Sequence, residues 1–509
     1  MNNEQILDLF VIGGGINGAG IARDAAGRGL TVALCEKDDL AQGTSSRSGK
    51  LVHGGLRYLE YYEFRLVREA LIEREVLLNS ACHIIWPMRF VLPHSKEDRP
   101  AWLVRLGLFL YDHLGGRKRL PGTRTLDLLR DPEGTPIKDQ YTKGFEYSDC
   151  WVDDSRLVVL NALDAAQKGA QILTRTRCLS ASRQDGHWLI TTENEWTKKI
   201  HSFKAKVLVN AAGPWVRNIV DDVIHSQSSR NIQLVKGSHI IVPKFWEGRQ
   251  AYLVQNHDKR VIFINPYEDD KALIGTTDIP YDGRVEDVAP EESEIDYLLA
   301  AVNRYFKESL RRSDVITSFS GVRPLFDDGK GNPSAVTRDY VFDLDETDGA
   351  PLLNVFGGKL TTFRKLSEHA IHKIEQFFPN IGGDWTRGAI LPGGDIRNAD
   401  FQGFIQDSKA VYSWIPRALL IHYGRHYGSL IKKIVGNATG IDDLGIYFGS
   451  NLYEAEVRYL VESEWAMTPE DVLTRRTKEG LHLSDEQKVF FSDWFQGQFI
   501  TSQAHTEIA

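Results

Sequence analysis

Residues 7–36 read LDLFVIGGGINGAGIARDAAGRGLTVALCE, and this stretch decides the fold. An apolar run, 9–12, enters Gly13, Gly15 and Gly18; helically spaced Ile21, Ala22, Ala25 and Ala26 follow; a second apolar run, 30–34, ends on Glu36. Strand, glycine turn, helix and strand in this order are the fingerprint of a dinucleotide-binding βαβ unit. Gly13 makes the tight turn, Gly15 lets backbone approach a pyrophosphate, and Gly18 lets helix pack on strand. The helix N-terminus offers unpaired N–H groups and the positive end of its dipole to the phosphates. Glu36, roughly 20 residues beyond the turn, is placed to accept hydrogen bonds from an adenosine ribose. The expected class is α/β.

Working outward, 509 residues are too many for one core and predict two or three domains. A hydrophobic fraction of 42% with 26% charge is that of an ordinary globular chain, and a net charge of −8 argues against general nucleic-acid binding. Cys35, Cys82, Cys150 and Cys178 lie far apart without CxxC spacing, so they read as free thiols, with no zinc site and no redox dithiol. The opening MNNEQILD has neither a basic nor an apolar segment of the signal-peptide kind, and no window approaches 18 uncharged apolar residues.

Several later segments look like further ligand-facing turns. Residues 44–58, TSSRSGKLVHGGLRY, combine hydroxyls, glycines and cations, and a helix is expected over the following YYEFRLVREALIEREVLLNSA. WPMRFVLP, 86–93, reads as a short strand, and AWLVRLGLFLY, 101–111, as a core or partner helix too short to span a bilayer, the lesser reading being an interfacial segment that dips into lipid. Residues 118–143 read as an exposed excursion. Residues 151–178 predict a helix and then a strand closing on Thr176 and Arg177, and a hairpin follows that runs into Ala211, Ala212, Gly213, Pro214 and Trp215. At least four separated small-residue turns converging on one ligand exceed what NAD needs; an enclosed FAD fits better. In the β-rich middle, cations recur beside glycines at strand ends. Arg57, Arg323, Arg338 and Lys359 together suggest a pocket for a small dianion, because guanidinium groups match phosphate oxygens and such a cluster without an anion is repulsive.

The motifs VIGGGINGAGIARDAAGRGL, TSSRSGKLVHGGLRYLE, GFEYSDCWVDDSRLV, NAAGPW, KGSHIIVP, LIGTTD, SGVRPL and FGGKLTTFRK, with TPEDVLTRRTKEGL near the end, resemble the FAD-dependent, aerobic glycerol-3-phosphate dehydrogenases. The resemblance implies a Rossmann-type FAD-binding domain of glutathione-reductase and D-amino-acid-oxidase type, an antiparallel β-rich substrate domain, and an α-helical C-terminal domain. The expected division is FAD-binding segments at about 1–80, 145–230 and 350–390, substrate-binding segments at about 81–144 and 231–349, and helices over 391–509. By the same resemblance Gly13, Gly15, Asn17 and Gly18 hold the pyrophosphate, and Glu36 and Lys37 the adenosine ribose. Thr44, Ser45, Ser46, Lys50, Leu51, His53, Gly54 and Gly55 line pyrophosphate and isoalloxazine; Thr176, Arg177 and Ala212 border the adenine; Gly358, Lys359, Leu360 and Thr361 cap the flavin. Arg57, Tyr58, His239, Arg323, Arg338 and Lys359 form the substrate pocket, with no metal.

The implied reaction oxidises sn-glycerol 3-phosphate to dihydroxyacetone phosphate, a hydride passing from C2 to the flavin and electrons onward to quinone. His239 is the first choice of base, His53 the second, and Arg323 is expected beside the reacting oxygen. The rival readings are an oxidase that uses oxygen, an amino-acid oxidase, and a non-catalytic FAD-binding redox sensor. The resemblance also implies a cytoplasmic protein or one peripheral on the cytoplasmic face of the inner membrane, with assembly as a homodimer left open. In the C-terminal region Thr468 and Pro469 read as a helix start, and Arg475, Arg476 and Lys478 as a solvated charge run, or else as a partner or lipid-headgroup contact.

Overall fold

The computed structural model describes residues 6–95, 97, 99–226, 228, 230–326 and 339–500. Ile6–Ile12 is the central strand of an eight-stranded sheet, parallel to Val32–Cys35 on one side and to Ile200–Asn210 on the other. Gln171–Leu173 continues the sheet beyond Val32–Cys35, and Leu352–Phe356 continues it beyond Ile200–Asn210. Leu9, Phe10, Val11, Ala33 and Leu34 are fully buried, as a parallel sheet covered on both faces requires. The helix Ile16–Gly27 packs on this sheet together with Asp154–Gln167 and Phe363–Ile374.

A second, ten-stranded sheet is largely antiparallel. Its long strand Ile232–Pro243 pairs with Thr317–Phe326 on one side and Lys271–Gly275 on the other. The expected hairpin around residues 187–210 is present, His187–Asn194 pairing with Ile200–Asn210, as is the strand pair Val261–Tyr267 with Lys271–Gly275. The C-terminal region is helical, with Phe401–Val411, Arg417–Tyr427, Glu454–Glu464 and Asp485–Phe495. It shares one core with the Asp154–Gln167 helix, in which Leu157, Leu160, Tyr423, Tyr427 and Leu460 are buried together.

Four sequence expectations change. Thr176 and Arg177 begin the strand Thr176–Gln184 instead of ending one, because the chain turns at Arg175, which has a positive φ of 51°. The 118–143 excursion buries Leu126, Leu128, Ile137 and Tyr141, so it is part of a core. The helix Ala101–Leu114 is not a core helix: it buries only Leu108 and Tyr111, while Trp102 is 69% exposed and Phe109 50%. Finally, Arg475, Arg476 and Lys478 are not solvated. Arg475 and Arg476 both donate to the buried carboxylate of Asp39, at 2.6 and 2.8 Å, and Lys478 pairs with Asp153. Pattern reading failed here because counter-ions more than 300 residues away turn a run of cations into an interior one. The start of that segment does follow its sequence: the Asp471 N–H donates to Thr468 Oγ1 at 3.1 Å and Thr468 N–H to Asp471 Oδ2 at 3.0 Å.

Candidate active site

A cavity of about 1120 Å³ runs between the two sheets. Its walls include Gly13, Gly15, Asn17, Glu36, Lys37, Thr44, Ser45, Leu51, His53, Gly55, Thr176, Arg177, Ala212, Gly358, Lys359, Leu360 and Thr361, and also Arg57, Tyr58, His239 and Arg323. Residues separated by three hundred positions thus share one space. Gly18, Ser46, Lys50 and Gly54 stand behind the wall, and Arg338 lies outside the described residues.

At the dinucleotide end, Gly13 has φ +112°, and a Cβ there would sit 2.6 Å from the Ala211 carbonyl oxygen. Only glycine serves both the left-handed conformation and the contact. At Gly18 a Cβ would lie 1.9 Å from the Gly13 carbonyl oxygen, so its task is packing. Glu36 accepts from the Gly14 N–H at 2.7 Å and the Asp38 N–H at 2.9 Å, which fixes its carboxylate at the end of the second strand. Ser45 Oγ accepts from the Ile16 N–H at 3.0 Å, tying the 44–50 loop to the helix start, and Asn17 Nδ2 donates to the Gly357 carbonyl at 3.1 Å. Lys37 Nζ lies 4.7 Å from the Trp215 ring, whose Nε1 donates to Glu286 of the other half at 2.5 Å. The cradle fits FAD: glycines clear a path for a pyrophosphate, an acid stands at the ribose position, and the cavity continues past Thr361, whose Oγ1 accepts from the His53 N–H at 3.2 Å.

At the other end stands His239, paired across the sheet with Gly275 and Phe319. Its ring stacks on Phe319 with centroids 4.9 Å apart, and a Cβ on Gly275 would come within 2.1 Å of it, so the glycine makes room for the imidazole. His239 is 3% exposed, and its Nδ1 has no hydrogen-bond partner among the described residues. Burial, with the charges of Arg323 and Lys50 adding to it, pushes its pKa down to about 3. The imidazole is therefore neutral at pH 7 and able to accept a proton. Arg323 donates to Asp278 at 2.9 Å and Thr276 Oγ1 at 3.1 Å, which aims a half-buried guanidinium along the cavity wall. Lys359 Nζ lies 3.9 Å from the Tyr58 ring, and Arg57 follows the αL turn at Gly55, φ +74°.

Lys50, which the resemblance places along the pyrophosphate and isoalloxazine, is 4% exposed and paired with Asp154 at 2.8 Å beneath the cavity floor, and its positive charge reaches His239. The Gly54 N–H donates to Tyr111 at 2.7 Å, which secures the loop from behind. Sequence reading missed Thr276, Asp278 and Asp154 as partners of the cations. The signal was present in LIGTTD and CWVDDSRLV, but a partner assignment needs the strand pairing.

A family model described as FAD dependent oxidoreductase matches residues 8–363, and one described as the C-terminal domain of alpha-glycerophosphate oxidase matches residues 385–489. The chain is 71% identical to the D-erythritol 1-phosphate dehydrogenase of Brucella abortus (strain 2308), over 97% of this chain and 99% of that protein. It is 52% identical to the aerobic glycerol-3-phosphate dehydrogenase of Escherichia coli K12, over 96% of this chain and 97% of that one. Among solved structures it resembles the glycerol-3-phosphate dehydrogenase of Bacillus halodurans complexed with FAD, with a TM-score of 0.76 at 28% identity, covering 97% of this chain and 95% of the other.

Proposed function

The chain belongs to the FAD dependent oxidoreductase family, and on that premise we propose that it is a dehydrogenase of small polyol monophosphates. The observation that carries this reading is the meeting, in one cavity, of a neutral buried His239 with the cations of Arg57, Arg323 and Lys359, beside a dinucleotide cradle. Bound FAD supplies a hydride acceptor. His239 takes the proton of the carbinol hydroxyl. Arg323, already oriented by Asp278 and Thr276, stabilises negative charge developing on that oxygen. Arg57 and Lys359 hold the phosphate, and this remote binding energy orients the reacting carbon. His53 is the second choice of base. Burial is the main cause of the low His239 pKa and the charges of Arg323 and Lys50 the lesser one, and a dianionic ester in the cavity offsets only the lesser one.

Oxidation of sn-glycerol 3-phosphate to dihydroxyacetone phosphate is supported by the relative at 52% identity. The relative at 71% identity favours D-erythritol 1-phosphate, one carbon longer, as the preferred substrate of the same site. The two share an alcohol beside a phosphorylated carbon, so one phosphate grip and one base serve both. Anaerobic bleaching of the flavin band tests the reading. Either ester should bleach it, glycerol and amino acids should not, and kcat/KM should be at least tenfold higher for the four-carbon ester. Bleaching by amino acids alone would overturn the proposal.

For the acceptor, we propose quinone reached from a membrane surface. Tyr62, Phe64, Leu106 and Leu110 border the cavity and are exposed, next to the exposed Trp102 and Phe109, and exposed apolar side chains grouped in this way mark interaction sites. No helix among the described residues is long and apolar enough to cross a membrane. Co-sedimentation with anionic vesicles should fall in a Trp102→Ser/Phe109→Ser variant. Equal sedimentation would deny this contact surface, and rapid reoxidation of the reduced enzyme by oxygen would favour an oxidase.

A further inference from the structure

Behind the strand that carries His239, on the face away from the cavity, lies a buried carboxylate that the reaction scheme leaves unused. Glu294, in the first turn of the helix Glu292–Tyr305, is 2% exposed. Its Oε1 accepts from Ser238 Oγ at 2.8 Å and from Thr277 Oγ1 at 2.7 Å. Its Oε2 pairs with Lys236 Nζ at 2.9 Å and accepts the Glu291 N–H at 2.9 Å. Two more bonds close the network: Ser238 Oγ to Ser320 Oγ at 2.7 Å, and the Ser238 N–H to Thr277 Oγ1 at 2.8 Å.

The residues held this way alternate with those of the site. Successive side chains of a strand point to opposite faces. Lys236 and Ser238 meet Glu294, while Gly237 and His239 face the cavity. Thr277 meets Glu294, while its neighbours Thr276 and Asp278 face the cavity and hold Arg323. Ser320, three residues before Arg323 on the adjacent strand, is tied through Ser238. One anion thus pins three chain segments: two lie within three residues of His239 or Arg323, and the third carries Thr276 and Asp278, which hold Arg323. Burial works against its charge, but hydrogen bonds from the Glu291 backbone, Lys236, Thr277 and Ser238 outweigh it and keep the carboxyl below its ordinary range.

We infer that Glu294 is a positioning residue: it sets His239 against Arg323 through Ser238 and Thr277, without touching substrate. This rests on the proposed reaction. A misplacement of about 1 Å can cost on the order of a hundredfold in rate, whereas a purely structural carboxylate costs stability alone.

The test compares wild type with Glu294→Gln and Ser238→Ala, each also in an Arg323→Lys background, with FAD content and thermal unfolding measured first. Glu294→Gln should keep its FAD while anaerobic flavin reduction slows roughly ten- to hundredfold, with KM changing less than threefold. In the Arg323→Lys background the same substitution should cost clearly less than in wild type, because one of the two groups it sets against each other is already displaced. Reduction within twofold of wild type, or an equal loss in both backgrounds, overturns the inference. If Glu294→Gln fails to fold, Ser238→Ala, which deletes one hydroxyl, should still slow reduction several-fold, and a wild-type rate there overturns it too. A wild type that no polyol phosphate reduces sinks the functional reading instead. Because the inference rests on that reading it falls with it, and the two failures differ in whether wild type itself is reduced.

Discussion

Replacing Asp39 by Ala should loosen the C-terminal region from the loop that lines the FAD cradle, and the size of the effect can be worked from the contacts. Asp39 is 1% exposed and accepts three bonds, from Arg475 Nε at 2.6 Å and from Arg476 NH1 and NH2 at 2.8 Å each. Arg475 keeps Asp471 when Asp39 is lost, but Arg476, with no exposed surface, keeps only the Glu464 carbonyl, at 2.8 and 3.1 Å. Breaking a buried pair by removing one partner costs about 3–5 kcal/mol, since the other charge stays buried and uncompensated. One carboxylate lost by two guanidiniums, one of them still paired, puts Asp39→Ala near 4 kcal/mol on this scale, and Asp39→Asn, which keeps an acceptor oxygen, near 3. Urea unfolding of the holoenzyme, followed by flavin fluorescence on release, measures this. Burial opposes the Asp39 charge, but Arg476 and Arg475 outweigh it and hold the pKa below 3.8. A depressed carboxylate contributes stability above its unfolded pKa and loses it as pH falls through the folded one. The deficit of Asp39→Ala should therefore be constant from about pH 5 to 8 and shrink only in strong acid. A deficit under about 1 kcal/mol, the range of exposed pairs, or one that varies between pH 5 and 8, would refute the reasoning.

His239→Asn should retain FAD and lose roughly 10²–10⁴ in the rate of flavin reduction; a loss below threefold removes it as the base and promotes His53. Arg57→Ala should raise KM for a polyol phosphate by about 10- to 100-fold, the cost of a charged hydrogen bond, while FAD content stays unchanged; a KM equal to that of wild type would deny the phosphate contact. Burial disfavours charge on His422, but Glu456 at 2.8 Å and Glu479 at 3.3 Å prevail and raise its pKa. A raised histidine stabilises fully below about 6.5 and loses this as pH rises through the folded value. Thermal unfolding temperatures measured from pH 6 to 9 should thus fall more steeply for wild type than for His422→Gln, and parallel curves would contradict it.

What the sequence made legible follows from the range of the forces involved. The turn at Gly13 was readable because conformational freedom, close approach and helix start are all local, and the structure puts the Gly13 Cβ position against Ala211, itself picked out as a small-residue turn. The cations Arg57, Arg323 and Lys359 were readable as a group because like charges converge at a cost that only an anion repays. Their counter-charges were not. Asp278 lies 45 residues from Arg323, and Asp154 lies 104 from Lys50, so neither pair leaves a mark in spacing. The exposed helix Ala101–Leu114 and the buried Arg475–Arg476 pair were misread for one reason in opposite senses. An apolar run was sent inward and a charged run outward by composition alone, whereas burial is decided by what stands opposite. For the helix, nothing among the described residues covers Trp102 or Phe109; for the arginines, Asp39 supplies a partner. Glu294 lies beyond sequence reading altogether, because its meaning depends on which face of a strand Ser238 takes, and that follows from pairing with Ser320. A site whose reacting groups can be named from motifs is therefore held in place in part by Glu294, which no motif contains, and substitutions there should separate positioning from chemistry.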